Sequence, residues 1–393
     1  MRMKKIIFLL LPLLVFANTT DRALLAYQQK YTFCHGHTNY QIAQCLLNGS
    51  LNYSFLRGDR PKYKQVNKNA LRTAEAEGTV YFYVMSLLPK TPRYTGLIKY
   101  YDYLWSTKKP YQIPTFSGND LEDIIRIKKI LNLLQNAKLI EDTVYTDTFQ
   151  SALLEYQRRH GLTVDGKIGP QTKRALKTPL SNILRKVKKN MEIERVSLPK
   201  PSNYVLVNIP EFKMHYYENF EPVLNMKVVV GKTKLRTPVF SRKMKYIVKN
   251  PRWNVPDNIY KKEYANKSEA YLRKKGLVFN DKGKLYQPSG RRNALGVVKF
   301  LFPNKYNVYM HDTPSKYLFN RTVRAYSHGC IRLEKPLALL NQLGYKYTNR
   351  KNTWITLENK IPVFVEYHTA WVNDEGIVQF SPDIYGYEKK LFR

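Results

Sequence analysis

Two histidines and a cysteine stand close together in a chain that has few of either. The stretch YMHDTPSKYLFNRTVRAYSHGCIRLEKP, Tyr309 to Pro336, holds two of the seven histidines, His311 and His328, and one of the three cysteines, Cys330. A thiol attacks as thiolate, and a free cysteine titrates near 8.5, so a nucleophilic one needs a base or a cation beside it. If Tyr326 to Leu333 is extended, its side chains alternate between two faces. His328, Cys330 and Arg332 then share one face, while Ile331 and Leu333 point into a core. Gly329 has no side chain, so a substrate backbone can approach closely there. His311 ends the strand-like YNVYM, where Asp312 or a nearby carbonyl could orient it. Nucleophile, base and orienter make up the constellation of covalent catalysis. The plainer reading is a buried cysteine beside a structural histidine.

The compartment bears on that choice. The chain opens with basic MRMKK, continues with apolar IIFLLLPLLVF (Ile6 to Phe16), and offers small residues for cleavage before Asn18. That layout predicts a secretory leader over residues 1–17, with an uncleaved anchor as the alternative. The apolar stretch is shorter than the ~20 residues a membrane span needs, and no later stretch is long and apolar enough. An exported protein meets oxidising conditions, in which Cys34 and Cys45 are expected to pair. Cys330 is then the odd thiol, a liability unless it is used. A metal site from Cys34, His35, His37 and Cys45 matches no zinc spacing, so no metal is expected.

Lys and Arg number 66 against 30 Asp and Glu, a formal charge of +36. Such a chain usually meets something anionic. The basic residues are spread out rather than gathered in a recognised motif, which argues against nucleic acid. An anionic polymer outside the cytoplasm fits better, and for most of these lysines a solvated surface is explanation enough. Gly231-Lys232-Thr233 mimics a phosphate loop, but such a loop needs a glycine where Met226 stands.

The elements that must position the site follow from periodicity. Residues 18–117 predict a scaffold without assignable chemistry; Ala70 to Gly78 reads as a helix stopped by glycine. In residues 118–178, Ile124, Ile127, Ile130, Leu131 and Leu134 fall at helical spacing, as do Phe149, Leu153 and Tyr156. Gly161 stops the second helix and Pro170 starts a third. Residues 179–202 are lysine-rich, helical in pattern, end in LPKP, and read as a linker. From Tyr204 the period changes to 2, which predicts a mostly β domain. A basic, tyrosine-rich insertion over 257–293 is a candidate lid or substrate groove.

Two motif sets carry a family resemblance. YQRRHGLTVDGKIGPQTKRAL resembles the peptidoglycan-binding domain of cell-wall enzymes. HDTPSKYLF followed by YSHGCIRL resembles the L,D-transpeptidase catalytic signature, and RTPVFS, NPRWNVP and GVVKFLFPN stand in that family's order. The C-terminal TAWVNDEGIVQFSPDIYG is similar to the longer, multidomain members. The resemblance implies a multidomain α+β protein. A three-helix peptidoglycan-binding module precedes a mostly β catalytic domain over 203–368, with 257–293 as a capping insertion and 369–393 as a C-terminal tail.

It also implies Cys330 as nucleophile and His311 as general base and acid, with His328, Gly329 and the amides around Cys330 shaping the site and oxyanion hole. Arg332, Ser327, Asp312, Tyr260, Arg291 and Arg292 become candidate substrate contacts. The reaction implied is acyl transfer between peptidoglycan tetrapeptide stems without metal or organic cofactor, in the periplasm, with other cell-wall synthesis enzymes as possible partners. Carbapenem acylation of the thiol is a further expectation. The same thioester could instead be hydrolysed, giving an L,D-carboxypeptidase. A non-catalytic wall-binding protein is the alternative from another class.

Overall fold

The computed structural model describes residues 20–52, 57–107, 121–290, 292–348 and 351–391. The expected leader and Arg291 lie outside the described residues. Among the described residues nine helices come first: α1 (Arg22–Tyr31), α2 (Asn39–Asn48), α3 (Lys68–Ala76), α4 (Val80–Ser86), α5 (Pro92–Ser106), α6 (Leu121–Gln135), α7 (Asp147–Arg159), α8 (Pro170–Leu176) and α9 (Leu180–Val196). Local chemistry sets their starts. Thr38 and Gln41 form a capping box on α2, Thr91 and Thr146 cap α5 and α7, and Pro170 occupies the first turn of α8. Cys34 and Cys45 are joined in a disulfide that ties the loop before α2 to that helix. Their sulfurs are therefore committed to each other and not to a metal.

The stretch read as a linker is instead the central helix of this body. Ile183, Leu184, Val187 and Met191 of α9 are buried in one apolar core with residues of α1 to α8. The lysines that suggested a solvated linker are held in the packing: Lys189 is buried with its Nζ donating to the Glu388 carbonyl, and Lys186 and Lys188, both half-buried, donate to the Ser381 and Gln29 carbonyls. The expected tail is also part of the fold. Strands β13 (Ala370–Val372) and β14 (Val378–Phe380) form a hairpin that completes the same core. The 18–117 scaffold, the three-helix module, α9 and the hairpin thus share one interior. Periodicity finds each helix but says nothing of which faces meet.

His160 shows how tightly the parts lock. Its ring lies between Tyr156, centroids 3.9 Å apart, and Phe380 of β14, 4.9 Å apart. Burial pushes its pKa down to about 3. The unfolded chain, with an ordinary histidine, binds a proton between pH 6.5 and 3 that the folded chain refuses, so stability falls as pH drops through that window. His160→Phe keeps the ring stack and removes the proton. The stability lost between pH 7.5 and 4.5 in urea titrations is expected to shrink by about 2–3 kcal/mol in this variant. An unchanged loss would show that His160 does not titrate as described.

The remaining strands are β1 (Tyr204–Asn208), β2 (Lys213–Glu218), β3 (Glu221–Gly231), β4 (Phe240–Lys249), β5 (Trp253–Asn254), β6 (Val278–Phe279), β7 (Leu285–Gln287), β8 (Val298–Leu301), β9 (Met310–His311), β10 (Ala325–Ser327), β11 (Ile331–Leu333) and β12 (Thr353–Glu366). Nine of them form one sheet in the order β10-β3-β11-β9-β8-β4-β12-β1-β2, and a further β2–β3 pairing closes it on itself. Inward residues such as Val228, Phe300, Met310, Ile331 and Val363 fill the interior. The insertion between β4 and β8 makes its own three-stranded sheet, β5-β7-β6, over a small core of Val255, Leu272, Leu277 and Leu285.

Candidate active site

The register of three short strands builds the site. Ile331 pairs with Met310 and Arg332 with His311 across β11 and β9, and Lys299 of β8 pairs with His311 from the other side. Met310 and Ile331 are fully buried in the barrel. Their neighbours Lys299, His311 and Arg332 therefore line up in a row on its outer face. Cys330 immediately precedes β11, and Tyr309 immediately precedes β9.

A tight bend delivers the thiol. The expected continuous strand over Tyr326–Leu333 is interrupted: β10 ends at Ser327, and residues 328–330 turn before β11 begins. Gly329 has φ +122°, a conformation that side chains strain against. The Ser327 hydroxyl donates to the Cys330 carbonyl at 2.6 Å and accepts from the Gly329 amide at 3.0 Å. The buried Thr237 hydroxyl donates to the Gly329 carbonyl at 2.9 Å. Ser327 thus holds the bend, and the Gly329 amide is already engaged. The amide of Cys330 itself makes no hydrogen bond among the described residues.

His311 is buried, and its Nδ1 lies 2.5 Å from the Asp312 carbonyl. That carbonyl accepts only, so Nδ1 carries the proton and Nε2 offers a lone pair. The Asp312 carboxylate is occupied elsewhere, accepting from the Val297 amide at 2.9 Å and pairing with Lys316 at 2.8 Å. Burial, then the Arg332 charge, pushes His311 down to about 3. The imidazole is neutral at any working pH.

The thiol behaves differently from the sequence expectation. Tyr309, Arg332 and Lys299 favour the thiolate, as a basic neighbourhood should, but burial outweighs them and raises the Cys330 pKa above its ordinary value. The resting pair is therefore thiol and neutral imidazole, not an ion pair. Alkylation by iodoacetamide, a small neutral reagent, is expected to rise about tenfold per pH unit from pH 6 with no plateau below about pH 9. A plateau setting in near neutrality would mean a depressed thiol and refute this assignment.

A cavity of about 680 Å³ opens over the thiol. Its floor is Cys330, His311, His328, Tyr309 and Arg332, and its opposite wall is the insertion, with Pro256, Ile259, Lys262, Glu263 and Leu277. His328 does not reach back to the thiol. Its Nε2 pairs with the Glu263 carboxylate, in a turn of π-helix over Tyr260–Tyr264, and so joins the bend to the insertion. Arg332 lines the cavity, and its buried Nε makes no hydrogen bond among the described residues.

Other sequence candidates fall away from the cavity. Tyr260 packs in the insertion's own core, its ring edge-on to Phe279, and Arg292 is exposed. Tyr309 escaped the sequence reading, although it lies two residues before His311 in a strand-like run and so shares its face. Glu263 and Lys299 left no local signal.

Residues 202–365 match the family described as "L,D-transpeptidase catalytic domain" (YkuD), and residues 120–176 match that described as "Putative peptidoglycan binding domain". The chain thus carries an L,D-transpeptidase catalytic domain behind a peptidoglycan-binding domain. A Haemophilus influenzae protein named "Putative L,D-transpeptidase" is 34% identical over 244 residues, covering 54% of this chain and 50% of that protein. The match thus spans about half the length of that curated relative. Among solved structures, an L,D-transpeptidase of Stackebrandtia nassauensis is similar at 15% identity, 65% of this chain, 96% of that chain and TM-score 0.28. The catalytic domain of an E. faecium L,D-transpeptidase, acylated by ertapenem, is similar at 16% identity, 43% of this chain, 100% of that chain and TM-score 0.27.

Proposed function

We propose that the protein is an exported, periplasmic peptidoglycan L,D-transpeptidase that forms 3→3 cross-links through a thioester on Cys330. The observation that carries this reading is a thiol and a neutral, oriented imidazole lining the same cavity beneath the insertion. His311 Nε2 takes the thiol proton as Sγ attacks the carbonyl of the third stem residue. The Cys330 amide is positioned as an oxyanion donor, and the unpaired Arg332 Nε is available for the same charge or for a substrate carbonyl. Collapse of the tetrahedral adduct breaks the bond to the terminal D-alanine, whose amine takes the proton from His311. The side-chain amine of diaminopimelate in a second stem then gives its proton to His311 and attacks the thioester, releasing the thiolate, which takes that proton back from His311 to restore the resting thiol and neutral imidazole. The roof over the thiol supports amine attack over hydrolysis by limiting water.

The deciding experiment mixes purified protein with disaccharide-tetrapeptides and reads products by mass spectrometry, with Cys330→Ala as control. Dimers that have lost one D-alanine are expected. Tripeptide monomers alone would make the enzyme an L,D-carboxypeptidase, and untouched substrate in both samples would refute the catalytic reading.

A further inference from the structure

We infer that Arg57, from the N-terminal segment that precedes the peptidoglycan-binding module, is a substrate-binding residue of the Cys330 cavity and holds either the D-alanine or the diaminopimelate carboxylate of the stem peptide. This rests on the reading that the cavity takes a peptide stem.

The segment is laid on the barrel as an added strip. The Val239 amide donates to the Arg57 carbonyl at 2.8 Å, and the Asp59 amide donates to the Val239 carbonyl at 2.8 Å. Between them Gly58 approaches so closely that a Cβ would stand 2.0 Å from the Val239 carbonyl oxygen, and its φ is +158°. Only glycine fits. The Asp59 carboxylate then pins the strip, accepting from Arg242 at 2.7 Å and from the Tyr306 hydroxyl at 2.8 Å. Arg57 is thereby fixed by main-chain contacts on one side and by an ion pair on the other.

Its side chain reaches the cavity wall beside Lys232, Leu235 and Tyr306. There Nη1 donates to the Arg236 carbonyl at 2.6 Å. Arg236 precedes Thr237, whose hydroxyl holds the Gly329 carbonyl, so the guanidinium is seated on the loop that supports the thiol's bend. One hydrogen bond uses one of five donors. The guanidinium pairs with no carboxylate among the described residues.

The cavity as a whole lacks negative charge. Arg57, Lys232, Lys262, Lys275 and Arg332 line it against one carboxylate, Glu263, which is already paired with His328. A stem ending in D-alanine and containing diaminopimelate brings at least two carboxylates. Lys262 and Lys275 sit on the insertion, while Arg57 is held by the barrel, where the thiol is. A planar fork in that place suits bidentate capture of a carboxylate.

The test is equilibrium binding to the full chain carrying Cys330→Ala, so that it does not depend on turnover. Three ligands are compared: the free disaccharide-tetrapeptide and two analogues, one with the D-alanine carboxylate and one with the diaminopimelate carboxylate converted to carboxamide. Arg57→Gln is expected to weaken binding of the free stem about 10- to 100-fold, the range of a charge-assisted pair. One carboxamide analogue should lose the same factor in the parent and be indifferent to Arg57→Gln, and Arg57→Lys should restore part of the loss. Equal thermal midpoints among the variants exclude a displaced strip as the cause. If Arg57→Gln binds all three ligands as the parent does, or weakens all three by one factor, the inference is overturned. It is also overturned if the parent binds no stem. A protein that binds the stem through Arg57 but yields no dimers would instead contradict the proposed function alone.

Discussion

His311→Asn is expected to lower kcat for stem dimerisation by about 10²- to 10⁴-fold, the usual worth of a positioned base. Asparagine can still donate from its amide to the Asp312 carbonyl, so the local scaffold is kept while the Nε2 lone pair is lost. Because the resting pair is neutral, the imidazole does not hold a pre-formed thiolate. The pH dependence of iodoacetamide alkylation is therefore expected to keep its slope in His311→Asn while turnover collapses. Stopped-assay kinetics on the dimer product, with alkylation followed by intact mass, reads both. A loss of alkylation parallel to the loss of turnover would show that the histidine activates the thiol at rest. A kcat within threefold of the parent would remove His311 from the mechanism.

The largest expected effect on stability lies far from the thiol. Glu192 and Arg195 of α9 are both fully buried, with Arg195 Nη1 2.9 Å from Glu192 Oε1. The carboxylate accepts from the Phe33 amide at 3.0 Å and from the Ser50 amide at 2.9 Å. Arg195 donates to the Tyr94 hydroxyl at 3.0 Å and to the Tyr31 carbonyl at 3.1 Å. The pair thus joins α9 to α1, to the end of α2 and to α5. Removing one partner leaves an uncompensated buried charge and its orphaned donors. Arg195→Met is expected to cost about 3–5 kcal/mol, and Glu192→Met a similar amount. The double variant Glu192→Met/Arg195→Met should lose clearly less than the sum of the single losses, since no lone charge remains. Urea denaturation followed by circular dichroism measures all of them, and a single-variant loss under 1 kcal/mol would refute the keystone role.

That keystone lies in the stretch whose lysines made it look like a linker. Periodicity marks α9 as a helix, but a helix with one apolar stripe is compatible with solvent on the rest or with neighbours around it. Only the packed body decides, because burial depends on which other faces are available. For the same reason the C-terminal segment reads as a tail in sequence and is a core hairpin in space. The mostly β period from Tyr204, the helix stop at Gly161, the helix start at Pro170, and the motif around Cys330 are local signals and were legible without coordinates.

The site divides in the same way. By itself the sequence determined the scarce reactive types, Cys330, His311 and His328, the glycine that the bend requires, and a resemblance specific enough to identify the catalytic domain. These depend on residue identity and short spacing, which a chain carries in one dimension. Tertiary structure decided the roles that depend on neighbours remote in sequence. Burial overrides the cationic surroundings and keeps the thiol protonated, Ser327 is turned inward onto the bend, His328 is drawn to Glu263 rather than to Cys330, and Arg57 is carried across the barrel into the cavity wall. Desolvation, ion pairing and strand register are properties of the space between segments, and no spacing along the chain encodes them.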